Sequence, residues 1–139
     1  MVKYIDIIGW LHTVLGGIGT LFGVVATLVP LGMFLYGVYD FVYGLLYLMA
    51  APAWIPNAVQ DLVSIAILSV LIAIPALLIL VMFGVELYAG VSLLWRWPRA
   101  RMAGLAAVVP SFFLGIPGIA LGVGTVMVLN DDEVKIALG

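Results

Sequence analysis

Cysteine is absent from this 139-residue chain, histidine occurs once, and charged residues make up only 9% of it. Without cysteine there can be no disulfide, no thioether-linked haem, no thiolate metal site and no thiol nucleophile. A single histidine excludes the usual histidine-rich catalytic metal centre. Catalytic signatures are missing as well: there is no phosphate-cradling loop and no GxSxG, and Ser64, Ser69, Ser92 and Ser111 have no evident base. No catalytic residue, metal or cofactor is therefore expected. The scarcity of charge excludes most. A soluble domain carries about 25% charged residues, and a chain that is 66% hydrophobic at 9% charge cannot keep an aqueous surface wet. With a net charge of −2 and no basic cluster of the kind that tracks phosphates, nucleic acid is not expected as a partner.

What the chain has instead is apolar length. A membrane-crossing helix needs roughly 20 apolar residues, so this length caps the number of crossings at four or five. The expectation is an all-α integral membrane helical bundle, one domain over 1–139. It would have four transmembrane helices (three to five possible), with the last two forming a tight hairpin. The apolar stretch 7–36 is too long for the h-region of a cleavable signal.

In order, 9–29 reads as a first crossing with Trp10 as an interface anchor. Gly16 with Thr20, and Gly19 with Gly23, form small-xxx-small pairs that let helix backbones approach. Their partner is a helix of the same chain or of a neighbouring subunit. The stretch 30–51 carries a tyrosine stripe, Tyr36, Tyr39, Tyr43 and Tyr47, beside Asp40. Tyrosine favours the headgroup level, so this stretch reads as an interfacial, tilted or partner-packed helix, with a full crossing the alternative. Asp40 is an intramembrane polar candidate or an ordinary interfacial carboxylate. The stretch APAWIPNAVQD, 51–61, reads as a loop broken by Pro52 and Pro56. From 62 to 97 the chain is again apolar, divided at Pro75, and it ends in Trp95, Arg96, Trp97, Pro98, Arg99 and Arg101. Pro117-Gly118 then reads as a turn between two apolar pieces, and Gly118/Gly122 and Ala120/Gly124 offer further small-residue faces.

Orientation follows from the cations, since lysine and arginine near a membrane stay cytoplasmic. Four crossings with a turn at Pro117-Gly118 put Lys3, Arg96, Arg99, Arg101 and Lys135 on one side. Both termini are then cytoplasmic, and an aromatic excursion over about 31–61 lies outside.

Two side chains stand out for chemistry. Glu86 lies ten residues before Arg96, about 15 Å along a helix at ~1.5 Å per residue, near the middle of a hydrocarbon core ~30 Å thick. An intramembrane acid marks a functional site by default. His12 reaches a comparable depth from Lys3, so the two can meet as a hydrogen-bonded pair or a proton relay. The plain alternative is a protonated Glu86 bonded to a neighbouring helix and a packed His12. The acidic run Asp131, Asp132, Glu133 reads as a solvated helix end.

From Glu86 onward the chain resembles a pattern of uncharacterised small prokaryotic multi-pass membrane proteins. The matching residues are Gly90, Leu93, Leu94, Ala100, Arg101, Pro117, Gly118, Gly122 and the tail NDDEVK, covering the last third of the chain. Arg99 stands where that pattern has an aromatic, and Ile119 and Gly124 also depart from it. The resemblance implies the closing helix pair and no activity. The functional expectation is a non-catalytic structural or accessory subunit in the cell membrane, partnered by lipid and by other membrane subunits or copies of itself. The alternative is a small oligomeric ion or proton channel or transporter using Glu86 and His12. A third reading makes His12 an axial ligand to a tetrapyrrole.

Overall fold

The computed structural model describes residues 2–47 and 54–138. The protein is all-α: α1 (Lys3–Tyr47), α2 (Trp54–Leu94), α3 (Ala100–Phe112), α4 (Gly115–Leu129) and α5 (Asp132–Leu138), with no strand among the described residues. Two helices are long and apolar enough to cross a membrane, over Lys3–Leu46 and Asn57–Leu94, and α3 and α4 are shorter apolar helices.

Several boundaries differ from the sequence expectation. The tyrosine-bearing stretch is not a separate element, because α1 runs unbroken through Pro30. Likewise α2 runs through Pro75. One proline removes a single i→i−4 hydrogen bond and crowds one carbonyl, and the apolar helix formers on either side carry the helix past it. The expected loop 51–61 is helical from Trp54, since Pro56 falls in the first turn of α2, where its missing N–H costs no bond. The rest of that loop, 51–53, lies outside the described residues.

The turn between α3 and α4 falls at 113–114 rather than at Pro117-Gly118, and α4 opens on Gly115. Gly115 takes φ 72°, a left-handed conformation that glycine adopts at little cost. Pro117 then stands in the first turn of α4, a position that suits its fixed φ.

The chain divides into two compact units. Unit one comprises 1–22 and 79–139. In it Ile5, Ile8, Gly9, His12, Gly16 and Gly19 form the buried stripe of α1, at helical spacings of three, four and seven. On α4 the stripe is Gly118, Leu121, Gly122, Thr125, Val128 and Leu129, and on α3 it includes Ala100, Gly104, Ala107, Val108 and Ser111. These stripes are rich in small and polar residues, while Leu11, Ile18, Leu21, Phe22, Val109 and Met127 face outward.

Backbones meet where glycine permits it. A Cβ on Gly16 would lie 2.2 Å from Leu87 N, and one on Gly90 2.3 Å from Thr13 N, so α1 and α2 touch main chain to main chain. Phe83 covers Gly19, and a Cβ on Gly118 would strike Ser111 O at 1.9 Å.

A core of Ile5, Ile8, Leu93, Ala100, Val128, Leu129, Val134 and Leu138 closes one end of this unit. It gathers the start of α1, the end of α2, the start of α3, the end of α4 and α5. Helix α5 has seven residues, too few to persist alone. Burying Val134 and Leu138 supplies about 1.5–3 kcal/mol each, and Asp131 Oδ1 caps it by accepting from Glu133 N at 3.1 Å.

Helix α2 ends in a Schellman motif: Trp97 N–H donates to Ser92 O at 3.0 Å and Arg96 N–H to Leu93 O at 3.3 Å. Arg96 holds the left-handed position at φ 50°, and Arg99 at φ 71° precedes α3. Arg101 Nε donates to Leu129 O at 3.0 Å, tying the start of α3 to the end of α4.

Unit two comprises 23–78, the later part of α1 and the earlier part of α2. Thr27, Pro30, Leu31 and Phe34 face Ala66, Ser69, Val70, Ala73 and Leu77 across an apolar groove of about 380 Å³. Gly23 is buried in this unit. Tyr36, Tyr39, Tyr43 and Asp40 are exposed, with the rings of Tyr39 and Tyr43 stacked 6.1 Å apart.

Candidate functional site

Unit one encloses a polar cluster to which each of α1 to α4 gives one side chain: His12 from α1, Glu86 from α2, Ser111 from α3 and Thr125 from α4. All four are fully buried, at 0% exposure. The stripes described above aim them inward. His12 lies between Ile8 and Gly16 on α1, and Thr125 follows Gly118 and Gly122 by seven and three residues on α4.

His12 Nδ1 bonds directly to Glu86 Oε2. His12 Nε2 lies 2.9 Å from Thr125 Oγ1, and Ser111 Oγ lies 2.5 Å from Glu86 Oε1. The hydroxyls also reach their own helices: Thr125 Oγ1 to Leu121 O at 2.8 Å and Ser111 Oγ to Ala107 O at 2.8 Å.

Each hydroxyl has one proton: Thr125 can give it to Leu121 O and accept from the ring, or give it to the ring, and Ser111 has one proton for Glu86 Oε1 and Ala107 O. Both ring nitrogens and both carboxyl oxygens have partners within the chain, which is the condition for burying an ion pair or its neutral equivalent without a large penalty.

Both ring nitrogens of His12 are engaged in this way, which leaves none for an axial bond to a tetrapyrrole. Among the described residues no group of three His, Asp or Glu side chains is arranged to hold a metal ion.

The structure thus brings His12 and Glu86 together; Asp40 belongs to the other unit, where it is exposed. Gly16 and Gly19 lie against α2, and Gly118 and Gly122 against α3; Gly122 makes only ordinary contact with Val108, at 3.5 Å. The sequence reading missed Ser111 and Thr125 as partners. The signal for both was spacing, since each continues a stripe of small residues on its helix.

No protein-family model matches the chain, and neither does any curated protein or solved structure.

Proposed function

We propose that this is a multi-pass membrane protein with a non-catalytic structural or accessory role in a membrane assembly, formed with other subunits or with copies of itself. The observation that carries the reading is the closed polar cluster at the centre of an inverted packing. His12, Glu86, Ser111 and Thr125 satisfy one another inside, glycine and alanine line the helix contacts, and large aliphatic side chains face out. In water that arrangement wastes the hydrophobic effect. In lipid it is the expected one, because packing and internal hydrogen bonds hold membrane helices together. The cluster serves as a four-way lock, one side chain per helix, with no exposed polar atom left to handle a solute.

Four helices are embedded in the bilayer in this reading. Lys3, Arg96, Arg99, Arg101 and Lys135 belong to the end of unit one where the starts of α1 and α3 and the ends of α2 and α4 are gathered, which supports a cytoplasmic placement of that end and of both termini. The apolar surplus supports assembly. Helix α1 has 45 residues, more than twice the roughly 20 that one crossing needs. Unit two exposes Val63, Ile67, Leu71, Ile74 and Leu78, more apolar surface than a single upright crossing covers, so neighbouring subunits take the rest.

Alkaline carbonate extraction tests the membrane part: the protein stays in the pellet. Gentle extraction from the native membrane followed by native mass measurement tests the assembly part. A mass above the monomer, with or without other subunits, is expected, and a monodisperse monomer overturns it.

The contact between His12 and Glu86 favours one second reading, a proton or ion path through an oligomer. Reconstituted vesicles decide it. Proton flux abolished by Glu86→Gln supports a path, and no flux in the native protein ends that reading.

A further inference from the structure

The α3–α4 hairpin is too short for the crossing that the sequence suggests, and the buried cluster fixes how deep it goes. Helix α3 has 13 residues and α4 has 15, about 20 and 22 Å at ~1.5 Å per residue, against a hydrocarbon core of ~30 Å.

Depth can be read independently from the Ser111–Glu86 hydrogen bond. Glu86 lies eight residues inside the end of α2 at Leu94, about 12 Å at ~1.5 Å per residue. Ser111 sits beside it, and the chain turns back only two residues later, at 113–114. The tip of the hairpin therefore lies near the level of Glu86, while α2 continues beyond that level in the opposite direction.

The chemistry of the tip agrees with this depth. Phe112, Phe113, Leu114, Gly115, Ile116 and Pro117 carry no polar side chain, and Phe113 and Ile116 are 75% and 84% exposed. A turn that emerged into water or headgroups would be expected to present polar residues; this one presents two phenylalanines and an isoleucine. Its backbone is kept largely satisfied, as hydrocarbon demands. Phe113 N–H donates to Pro110 O at 3.0 Å and Leu114 N–H to Ser111 O at 3.0 Å. Pro117 removes one of the N–H groups that the first turn of α4 would otherwise leave open. The opposite ends of the same two helices carry the polar anchors: Arg99 and Arg101 before and at the start of α3, and Asn130 after α4, with Arg101 bonded to Leu129 O and 3.4 Å from Asn130 Oδ1.

We infer that α3 and α4 form a re-entrant hairpin, which enters the bilayer from the cation-bearing face and turns back inside it. The occupant of its apolar tip is the hydrocarbon of lipid chains. The inference rests on the membrane reading above and replaces the last two of the four crossings, while leaving both termini on the same side.

The absence of native cysteine makes the test direct. Single variants Phe113→Cys and Ile116→Cys, with Asn57→Cys and Lys135→Cys as references, are treated with a membrane-impermeant maleimide in intact cells and in inverted vesicles. Both tip positions face away from the packed interior, so the substitutions leave the core in place. The expected result is labelling of Asn57→Cys only from outside and of Lys135→Cys only from inside. The tip variants lose labelling from both sides and recover it in detergent. A fluorophore at Ile116→Cys is then quenched most by lipids brominated deep in the acyl chain. Labelling of the tip variants from the same side as Asn57→Cys overturns the re-entrant hairpin and restores a full crossing. Release of the protein by carbonate, or two references labelled from the same side, overturns the membrane reading and the hairpin depth with it.

Discussion

His12 Nε2 stands 2.9 Å from the hydroxyl of Thr125, 113 residues away in sequence, and this contact ties α1 to α4 inside the cluster. The same hydroxyl lies 2.8 Å from Leu121 O on its own helix. Thr125→Val keeps the shape and removes the hydroxyl, leaving a buried ring nitrogen unpartnered at a cost of about 1–3 kcal/mol. Thr125→Ser keeps the hydroxyl and is expected to stay near wild type. Unfolding in mixed micelles compares the two, and equal stability would mean that the hydroxyl does not hold the ring.

The His12–Glu86 pair gives a second prediction. Removing one partner of a buried pair costs about 3–5 kcal/mol, whereas apolar replacement of both is often neutral. The double variant His12→Leu with Glu86→Met is therefore expected to be more stable than either single variant. A double variant as weak as the sum of the singles would show no coupling between the two side chains and overturn the lock.

Glycines separate into two classes by what surrounds them. Gly90→Ala drives a methyl group against the Thr13 main chain, where a Cβ would lie 2.3 Å from N, and forcing atoms into a packed site costs about 1–3 kcal/mol. Gly84→Ala and Gly124→Ala meet open space and gain up to about 1 kcal/mol of helix propensity. Gly19→Leu, against the Phe83 ring, is expected to destabilise the monomer itself. Thermal melts in detergent check all four, and a change in oligomer size without a change in melting would move these contacts to a subunit interface.

Gly115 makes a different demand, on conformation rather than space. At φ 72° with nothing within 4 Å of a built Cβ, Gly115→Ala meets no clash yet pays the left-handed penalty of about 1–2 kcal/mol. The same substitution at Gly32, equally open but without a positive φ, carries no such penalty. A hairpin that tolerates both alike would have its turn elsewhere.

Near the C-terminus, Lys135 Nζ donates to Asp132 Oδ1 at 2.7 Å. The hydrogen bond first, and the positive charge second, hold the Asp132 carboxyl below the ordinary aspartate range. A carboxyl depressed in the folded state adds stability above its unfolded pKa, and that share is lost as pH falls through the folded value. The side chain is fully exposed, so the effect is small. Carboxyl NMR in micelles is expected to show Asp132 titrating low, and Lys135→Met returning it upward.

Composition made the apolar helical class legible, and the positions of His12 and Glu86 made their meeting arguable from depth alone. The element boundaries were harder to read. Pro30, Pro75 and Pro117 look like stops in one dimension, yet the helix passes through the first two and the third sits in an opening turn. Ser111 and Thr125 went unnoticed because inside and outside are both hydrophobic here, so amphipathic periodicity gives almost no contrast. The informative property was side-chain size: Gly118, Gly122 and Thr125 mark a face that Leu and Val do not.

Ile5 and Leu138 share one small core, so α1 meets these neighbours only after residue 138 has been made. Until then that core lacks Val134 and Leu138 and stays incomplete. The seven residues of α5 act in time as well as in space: they are the last to join a core that the other four helices share.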